Sequence, residues 1–230
     1  MKNLIYGKNS VIEAINNNFP IKEVYLLKSS DAKLIKFKNI KFLSLNEMNR
    51  MVNGNHQGFI AKISDFQYYD IGTIIKDKPE VVLILDHIQD PQNFGAIMRS
   101  ANVFGIKHII IPKDRAVDVN STVLKISSGG FKNIKVIKVG SLLDAIEYLK
   151  KNEFWIYATA LDNKAKDLAK ANFNAPSAII MGNEATGVSK TLLKKSDEII
   201  FINQKSESVQ SLNVSVSTGI VLYELTKNKL

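Results

Sequence analysis

The chain contains no cysteine. That removes disulfides, thiolate metal ligands and every mechanism that uses a cysteine nucleophile. Long apolar runs are missing too. A typical one, Val81-Val82-Leu83-Ile84-Leu85, falls far short of the ~20 residues that cross a bilayer. The opening MKNLIYGKNS has no apolar signal-peptide core. A cytoplasmic protein with no membrane partner is therefore expected. Arginine is scarce, with 3 against 28 lysines in 230 residues. A chain that defaults to lysine is expected to keep arginine where a planar fork matters, because an ammonium group cannot copy bidentate contact with phosphate. Arg99 and Arg115 stand out on that ground alone, with a surface role open for Arg115.

What is present is ordinary in bulk and unusual in charge. Hydrophobic residues make up 45% and charged residues 23%, enough for one or two packed domains without staples. The net charge is +9, which favours a polyanionic partner. Residues 1–66 hold ten Lys/Arg against five Asp/Glu, out of proportion to their length. Lys28, Lys33, Lys36, Lys38 and Lys41 form the densest stretch. They could neutralise phosphates without reading sequence, or simply form a solvated surface.

Residues 1–66 read as a small α/β unit. A helix is expected over 8–18, strands over 21–27, 40–44 and 58–63, and helical segments near 31–37 and 46–51. Residues 67–79 are mixed and polar and read as a linker. From residue 80 the pattern becomes a longer alternation. Val/Ile-rich strands at 81–86, 107–111, 134–138, 154–160, 177–181 and 198–202 are separated by amphipathic helices at 94–104, 120–128, 141–151, 189–195 and 213–227. That pattern predicts a parallel sheet with helices on both faces, and ligands bind beyond the carboxyl ends of such strands.

Three polar clusters fall at those ends. The first runs from Asp86 to Asn102. Pro91 suits a turn, Asn93 is expected as the helix N-cap, and Arg99 lies on the helix that follows. The second is Gly182-Asn183-Glu184-Ala185-Thr186-Gly187. It is a near miss for a phosphate-cradling loop, which needs Gly-Lys-Ser/Thr, and Ser189 is a candidate N-cap for the next helix. The third spans 203–219, where Ser211 and Asn213 open an apolar, β-branched helix. Capping explains Asn93, Ser211 and Asn213 as well as catalysis does. It does not explain Arg99. Together the clusters place Asn, Arg, Glu and Ser side chains where a site would form.

In order and spacing these clusters resemble the three motifs of the SpoU/TrmH family of RNA ribose 2'-O-methyltransferases. Asn93-x-Gly95-x-x-x-Arg99-x-Ala101 is similar to the first, Gly182-Asn183-Glu184-x-x-Gly187 to the second, and Ser211-Leu212-Asn213-Val214-Ser215-Val216 to the third. The likeness is strong over 80–230. It extends more weakly to Tyr6-Gly7-x-x-x-Val11-x-Glu13-Ala14 and His56-Gln57-Gly58, and with Pro112-Lys113-Asp114-Arg115 it points to members that methylate a 23S rRNA guanosine.

The resemblance implies a parallel α/β catalytic domain with a C-terminal trefoil knot (the SPOUT type), preceded by a small α/β RNA-binding domain over 1–66. It implies S-adenosylmethionine as cofactor, held by backbone at Gly182, Ile202 and Leu212, with no metal. It implies RNA as partner and a homodimer. Catalytic residues would be Asn93, Arg99, Glu184, Ser211 and Asn213. Arg99 would activate the 2'-hydroxyl, either as a base or as a charged stabiliser of the developing alkoxide. Two departures stand out: Gly129-Gly130 replaces a common Gly-Ala, and Asn203-Gln204-Lys205 lacks a common proline. Other readings are a tRNA guanosine or rRNA adenosine target, or an RNA-binding assembly factor without turnover. A dinucleotide oxidoreductase is disfavoured because no Gly-x-Gly-x-x-Gly follows the first strand of either unit.

Overall fold

The computed structural model describes residues 3–205 and 211–227. Part of the third polar cluster, 206–210, lies outside the described residues. The chain divides into two compact units: Met1–Gln67 with Val119–Gly129, and Tyr68–Asp118 with Gly130–Leu230.

The first unit opens with β1 (Leu4–Tyr6), α1 (Lys8–Asn16) and β2 (Ile21–Leu26). A 3-10 turn at Ser29–Leu34 takes the place of the helix expected there. Then come β3 (Ile40–Phe42), α2 (Leu45–Met51) and β4 (Phe59–Ile63). The sheet order is β1-β4-β2-β3, with β4 antiparallel to both of its neighbours. Val11, Val24, Leu26, Phe59 and Ala61 close one face; Tyr25, Met48, Val52 and Ile60 close the other. The sequence Ser44-Leu45-Asn46-Glu47 starts α2 with a capping box, each side chain serving the other residue's backbone N–H. Those bonds, the serine hydroxyl's first, hold the Glu47 carboxyl below its usual range.

The second unit begins inside the stretch that reads as a linker. Its α3 (Gly72–Asp77) buries Ile74 completely, and Tyr69 bridges to Ile137. The spacing of Ile71, Ile74 and Ile75 is the helical signal within that polar stretch. There follow β5 (Val81–Leu85), α4 (Pro91–Val103), β6 (His108–Pro112) and α5 (Ser121–Ile126), the last grouped with the first unit. Next come β7 (Lys135–Val139), α6 (Leu142–Lys151), β8 (Trp155–Thr159), the two-residue β9 (Lys166–Asp167) and β10 (Ser177–Met181). The chain closes with α7 (Lys190–Lys195), β11 (Glu198–Phe201) and α8 (Val214–Thr226).

All strand pairs of this sheet are parallel, in the order β7-β6-β5-β10-β8-β11-β9. Val82, Ile84, Ile110, Ile156, Ala178 and Ile180 pack with Ile74, Ile146, Leu149 and Leu192 from α3, α6 and α7. The alternate residues, among them Leu83, Leu85, Ile109, Tyr157 and Ile179, are buried on the opposite face, on the side left to α4 and α8, which pack together. Burial on both faces is why these strands read as unbroken apolar runs. From β5 the chain moves outward to β6 and β7; from β10 it moves the other way, past β8 to β11. Adjacent strands that diverge in this manner open a crevice at their carboxyl ends.

At the amino end of the sheet, His108 is buried and bonds Asp77 through Nε2 at 2.8 Å. Hydrogen bonds from Lys135 and then His108 hold the Asp77 carboxyl below its ordinary value. Among the described residues, no helix is long and apolar enough to cross a membrane.

Candidate active site

The crevice is shaped first by a loop that only glycine can enter. A Cβ on Gly182, just past β10, would lie 2.2 Å from the carbonyl carbon of Gly187 and from the nitrogen of Val188. The loop closes on itself: Asn183 N–H donates to the Gly187 carbonyl at 3.1 Å, and Gly187 N–H returns to Asn183 at 2.9 Å. The Asn183 side chain fixes the interior, accepting from Ala185 N–H at 2.9 Å and donating to the His87 carbonyl at 2.7 Å. Next to it, the buried Asp86 accepts from Ser189 N–H at 2.7 Å and lies 2.5 Å from His87 Nδ1. Ser189 occupies the N-cap position of α7 without a side-chain cap bond, so its backbone does the anchoring.

The helix bordering the crevice starts earlier than the sequence suggests. Asp90, not Asn93, is the N-cap of α4: its carboxylate accepts from Gln92 N–H at 2.8 Å, and Pro91 takes the first helical position. Proline is suited to that position because its missing N–H would be unbonded there anyway. Asn93 therefore lies inside the first turn, buried, with its side chain released from capping. It donates through Nδ2 to Glu184 Oε1 at 2.9 Å and accepts from Asn213 Nδ2 at 2.9 Å. Asn213 is at once the cap of α8, accepting from Ser215 N–H at 2.8 Å and Ser215 Oγ at 2.6 Å. One chain of hydrogen bonds thus joins all three polar clusters.

Asn93→Ala removes both bonds and leaves Glu184 and Asn213 facing each other without their link. Glu184 and Asn213 are exposed and water can replace the lost partner, so a loss of only about 0.5–1.5 kcal/mol in unfolding free energy is expected, the net value of an ordinary hydrogen bond. The denaturant midpoint of purified wild type and variant measures it.

Above this network lies a cavity of about 610 Å³. Its lining includes Gly182, Glu184, Ile202, Ser211, Leu212 and Asn213. Apolar walls come from Leu168, Met181, Ile200 and Val221. Asn93 touches the cavity through Glu184 and Asn213 rather than lining it. Arg99 stands apart. It is exposed on α4, and no hydrogen bond or ion pair engages its guanidinium among the described residues. Its helix is nonetheless held tightly: a Cβ on Gly130 would sit 3.2 Å from Arg99 Cα and 3.3 Å from the Met98 carbonyl oxygen. That close approach explains a glycine at 130.

Two features of the site escape sequence reasoning. Asn183 organises the loop although Glu184 beside it draws the attention. Thr159, Ala160 and Leu161 also line the cavity. Their signal is position: they follow the carboxyl end of a parallel strand, where ligands bind.

Comparison with known proteins gives two family matches. Residues 80–223 match the SpoU rRNA Methylase family, and residues 4–69 match the family of RNA 2'-O ribose methyltransferase substrate binding domains. YacO of Bacillus subtilis (strain 168), assigned to the TrmH family of tRNA/rRNA methyltransferases, is 30% identical over 98% of this chain and 95% of its own. Among solved structures, an AdoMet-bound rRNA methyltransferase from Sinorhizobium meliloti has the same fold. It shows a TM-score of 0.76 at 22% identity, covering 100% of this chain and 88% of that one. The SpoU methyltransferase AviRb from Streptomyces viridochromogenes, in complex with AdoMet, gives 0.74 at 18% identity over 98% and 90%.

Proposed function

This chain belongs to the SpoU rRNA methylase family, and from that premise we propose that it methylates a ribose 2'-hydroxyl of RNA, a guanosine of 23S rRNA in the first instance, using S-adenosylmethionine. The observation that carries the reading is the hydrogen-bonded chain Glu184–Asn93–Asn213 set beside a cavity lined by Gly182, Ile202 and Leu212.

The cavity fits the cofactor in kind. Its volume, about 610 Å³, is in the range of small-molecule sites. Apolar walls suit an adenine face, and Gly182 lets the loop on the cavity wall close on Gly187 and Val188, where a Cβ would force it open. When bound, the cofactor supplies an electrophilic methyl group on a cationic sulfur. The backbone of Gly182, Ile202 and Leu212 would hold it. Glu184, Ser211 and Asn213, on the same wall, would orient the ribose.

The hydroxyl is a poor nucleophile and must give up its proton, which passes to solvent water. A guanidinium stays charged at neutral pH and is not a proton acceptor there. The role proposed for Arg99 is therefore electrostatic: it engages the adjoining phosphate and stabilises the developing alkoxide. Its exposure, and the absence of a side-chain partner among the described residues, leave its five donors available for that task. The C-terminal trefoil knot is part of the same reading. Its support is that the 182–188, 200–204 and 211–217 segments gather around one cavity.

A homodimer is proposed from α8. Val216, Ile220 and Tyr223, at successive turns of one face, are 50%, 38% and 54% exposed, and Val103 nearby on α4 is 69% exposed. A second copy would bury this stripe, since exposed apolar patches of this kind mark contact surfaces. Ile220→Lys is expected to halve the mass seen by sedimentation without unfolding the chain. The division of labour follows the two matches, with the basic 1–66 segment docking RNA and 80–230 carrying the chemistry.

Tritiated methyl transfer onto separate rRNA and tRNA transcripts tests the substrate. Label in rRNA is expected; label in tRNA alone would move the target, and label in neither would remove the activity.

A further inference from the structure

We propose that Arg115, in the loop after β6, grips a backbone phosphate near the target nucleotide, so that the catalytic unit itself holds the substrate strand; this rests on the RNA methyltransferase reading above. The topology puts the residue at the right edge. β6 lies next to β5 and two strands from β10, whose end carries the Gly182 loop. All three strands are parallel, so the loops that follow them leave the sheet at the same carboxyl end as the crevice. Two strand spacings are ~10 Å. That offset suits a phosphate farther along the strand rather than the reacting ribose itself.

The backbone of Arg115 is fixed although its side chain is free. It is left-handed, φ 53°, a conformation that a residue with a side chain keeps only where its surroundings dictate it. Those surroundings are the neighbouring loop after β5. Val117 N–H donates to the Ile88 carbonyl at 2.9 Å, and Gln89 Nε2 lies 3.5 Å from the Arg115 carbonyl oxygen. At the base of the loop, Lys113 N–H donates to the Val139 carbonyl at 2.8 Å. Gln89 directly precedes Asp90, the cap of α4. The loop is thus tied to the segment that starts the helix of Asn93 and Arg99.

The guanidinium is available. Arg115 is exposed, and among the described residues no hydrogen bond or ion pair engages its side chain. Other charges at this end of β6 and β7 are already committed. Lys138 pairs with Asp118 and lies 4.8 Å from the centre of the Tyr68 ring. Asp90 gives its carboxylate to Gln92 N–H. Lys113 and Asp114, side by side and exposed, offset each other in formal charge.

A solvated position has no need of arginine in a chain with 28 lysines and 3 arginines. What arginine adds is a planar fork that meets two oxygens of one phosphate. Such a contact sets the register of a strand without reading its bases. That is the service a ribose-directed site requires, because every nucleotide of RNA carries the reacting hydroxyl. Arg99 takes the phosphate adjoining the reacting ribose in the reading above; Arg115 takes one farther along.

The test uses the full chain and a 23S rRNA transcript, with filter binding over a salt series. Arg115→Gln is expected to weaken binding roughly tenfold, the value of one charge-assisted contact. The slope of log affinity against log salt should become shallower by about 0.7–0.9, one phosphate. Arg115→Lys keeps the charge and loses the fork, so the slope should stay while the affinity falls. Lys151→Gln removes an exposed cation at the end of α6 and should change neither. In methyl-transfer assays the Arg115→Gln loss should fall on KM for the transcript rather than on kcat. Calorimetric affinity for S-adenosylmethionine should match wild type; a loop that had come apart would lower it. Wild-type affinity and slope in Arg115→Gln, or an equal loss in Lys151→Gln, would overturn the grip. If the transcript is methylated in that event, the catalytic reading survives. A transcript bound as expected but never labelled would remove that reading and leave the grip standing.

Discussion

Gly182→Ala is expected to abolish cofactor binding. The methyl group it adds would fall 2.2 Å from two backbone atoms of the same loop, Gly187 C and Val188 N. No side chain can swing aside to relieve this, because both obstacles are main chain. The loop must open, and with it go the Asn183–Gly187 bonds and the position of Glu184. A loss of more than a hundredfold in affinity, about 3 kcal/mol, is expected. Overpacking adds a further 1–3 kcal/mol in stability as an order of magnitude. Calorimetric titration with S-adenosylmethionine measures the first effect. Near-native affinity in a folded Gly182→Ala protein would show that the cofactor binds elsewhere.

Arg99→Lys is expected to do the opposite: keep the cofactor and lose the reaction. Arg99 does not line the cavity, so affinity for S-adenosylmethionine should be unchanged. Methyl transfer should fall by roughly 10²–10³, the usual cost of removing one donor aimed at developing negative charge. Lysine retains the charge but not the fork that grips phosphate in two places. The decisive pair of measurements is calorimetry for binding and single-turnover transfer for chemistry. Turnover at the wild-type rate would take Arg99 out of the mechanism.

The sheet was the most legible part of this protein. Its strands are buried on both faces, and runs such as Val81–Leu85 and Ser177–Met181 announce that directly. Less visible was whatever is short or made by partners distant in sequence. The two residues of β9 and the three of β1 carry no period. The 67–79 segment reads as a polar connection because a single isoleucine, Ile74, does most of the burying. At α4, Asn93 looks like a cap by residue type. Asp90 with Pro91 is the stronger capping pair, and it frees Asn93 for Glu184 and Asn213. Those partners lie 91 and 120 residues away, and no local pattern reports a bond of that span. The motif spacing brought these residues to notice; only the fold shows that Asn93, Glu184 and Asn213 are joined by hydrogen bonds, a network to which Arg99 does not belong.

The nucleoside product is the most direct test of the central claim. Purified protein, tritiated S-adenosylmethionine and 23S rRNA are incubated, and the RNA is digested to nucleosides. Label in 2'-O-methylguanosine, with the adjoining phosphodiester made resistant to alkali, is the result expected of a site that presents a ribose oxygen. Label on a base, or none at all, would contradict it.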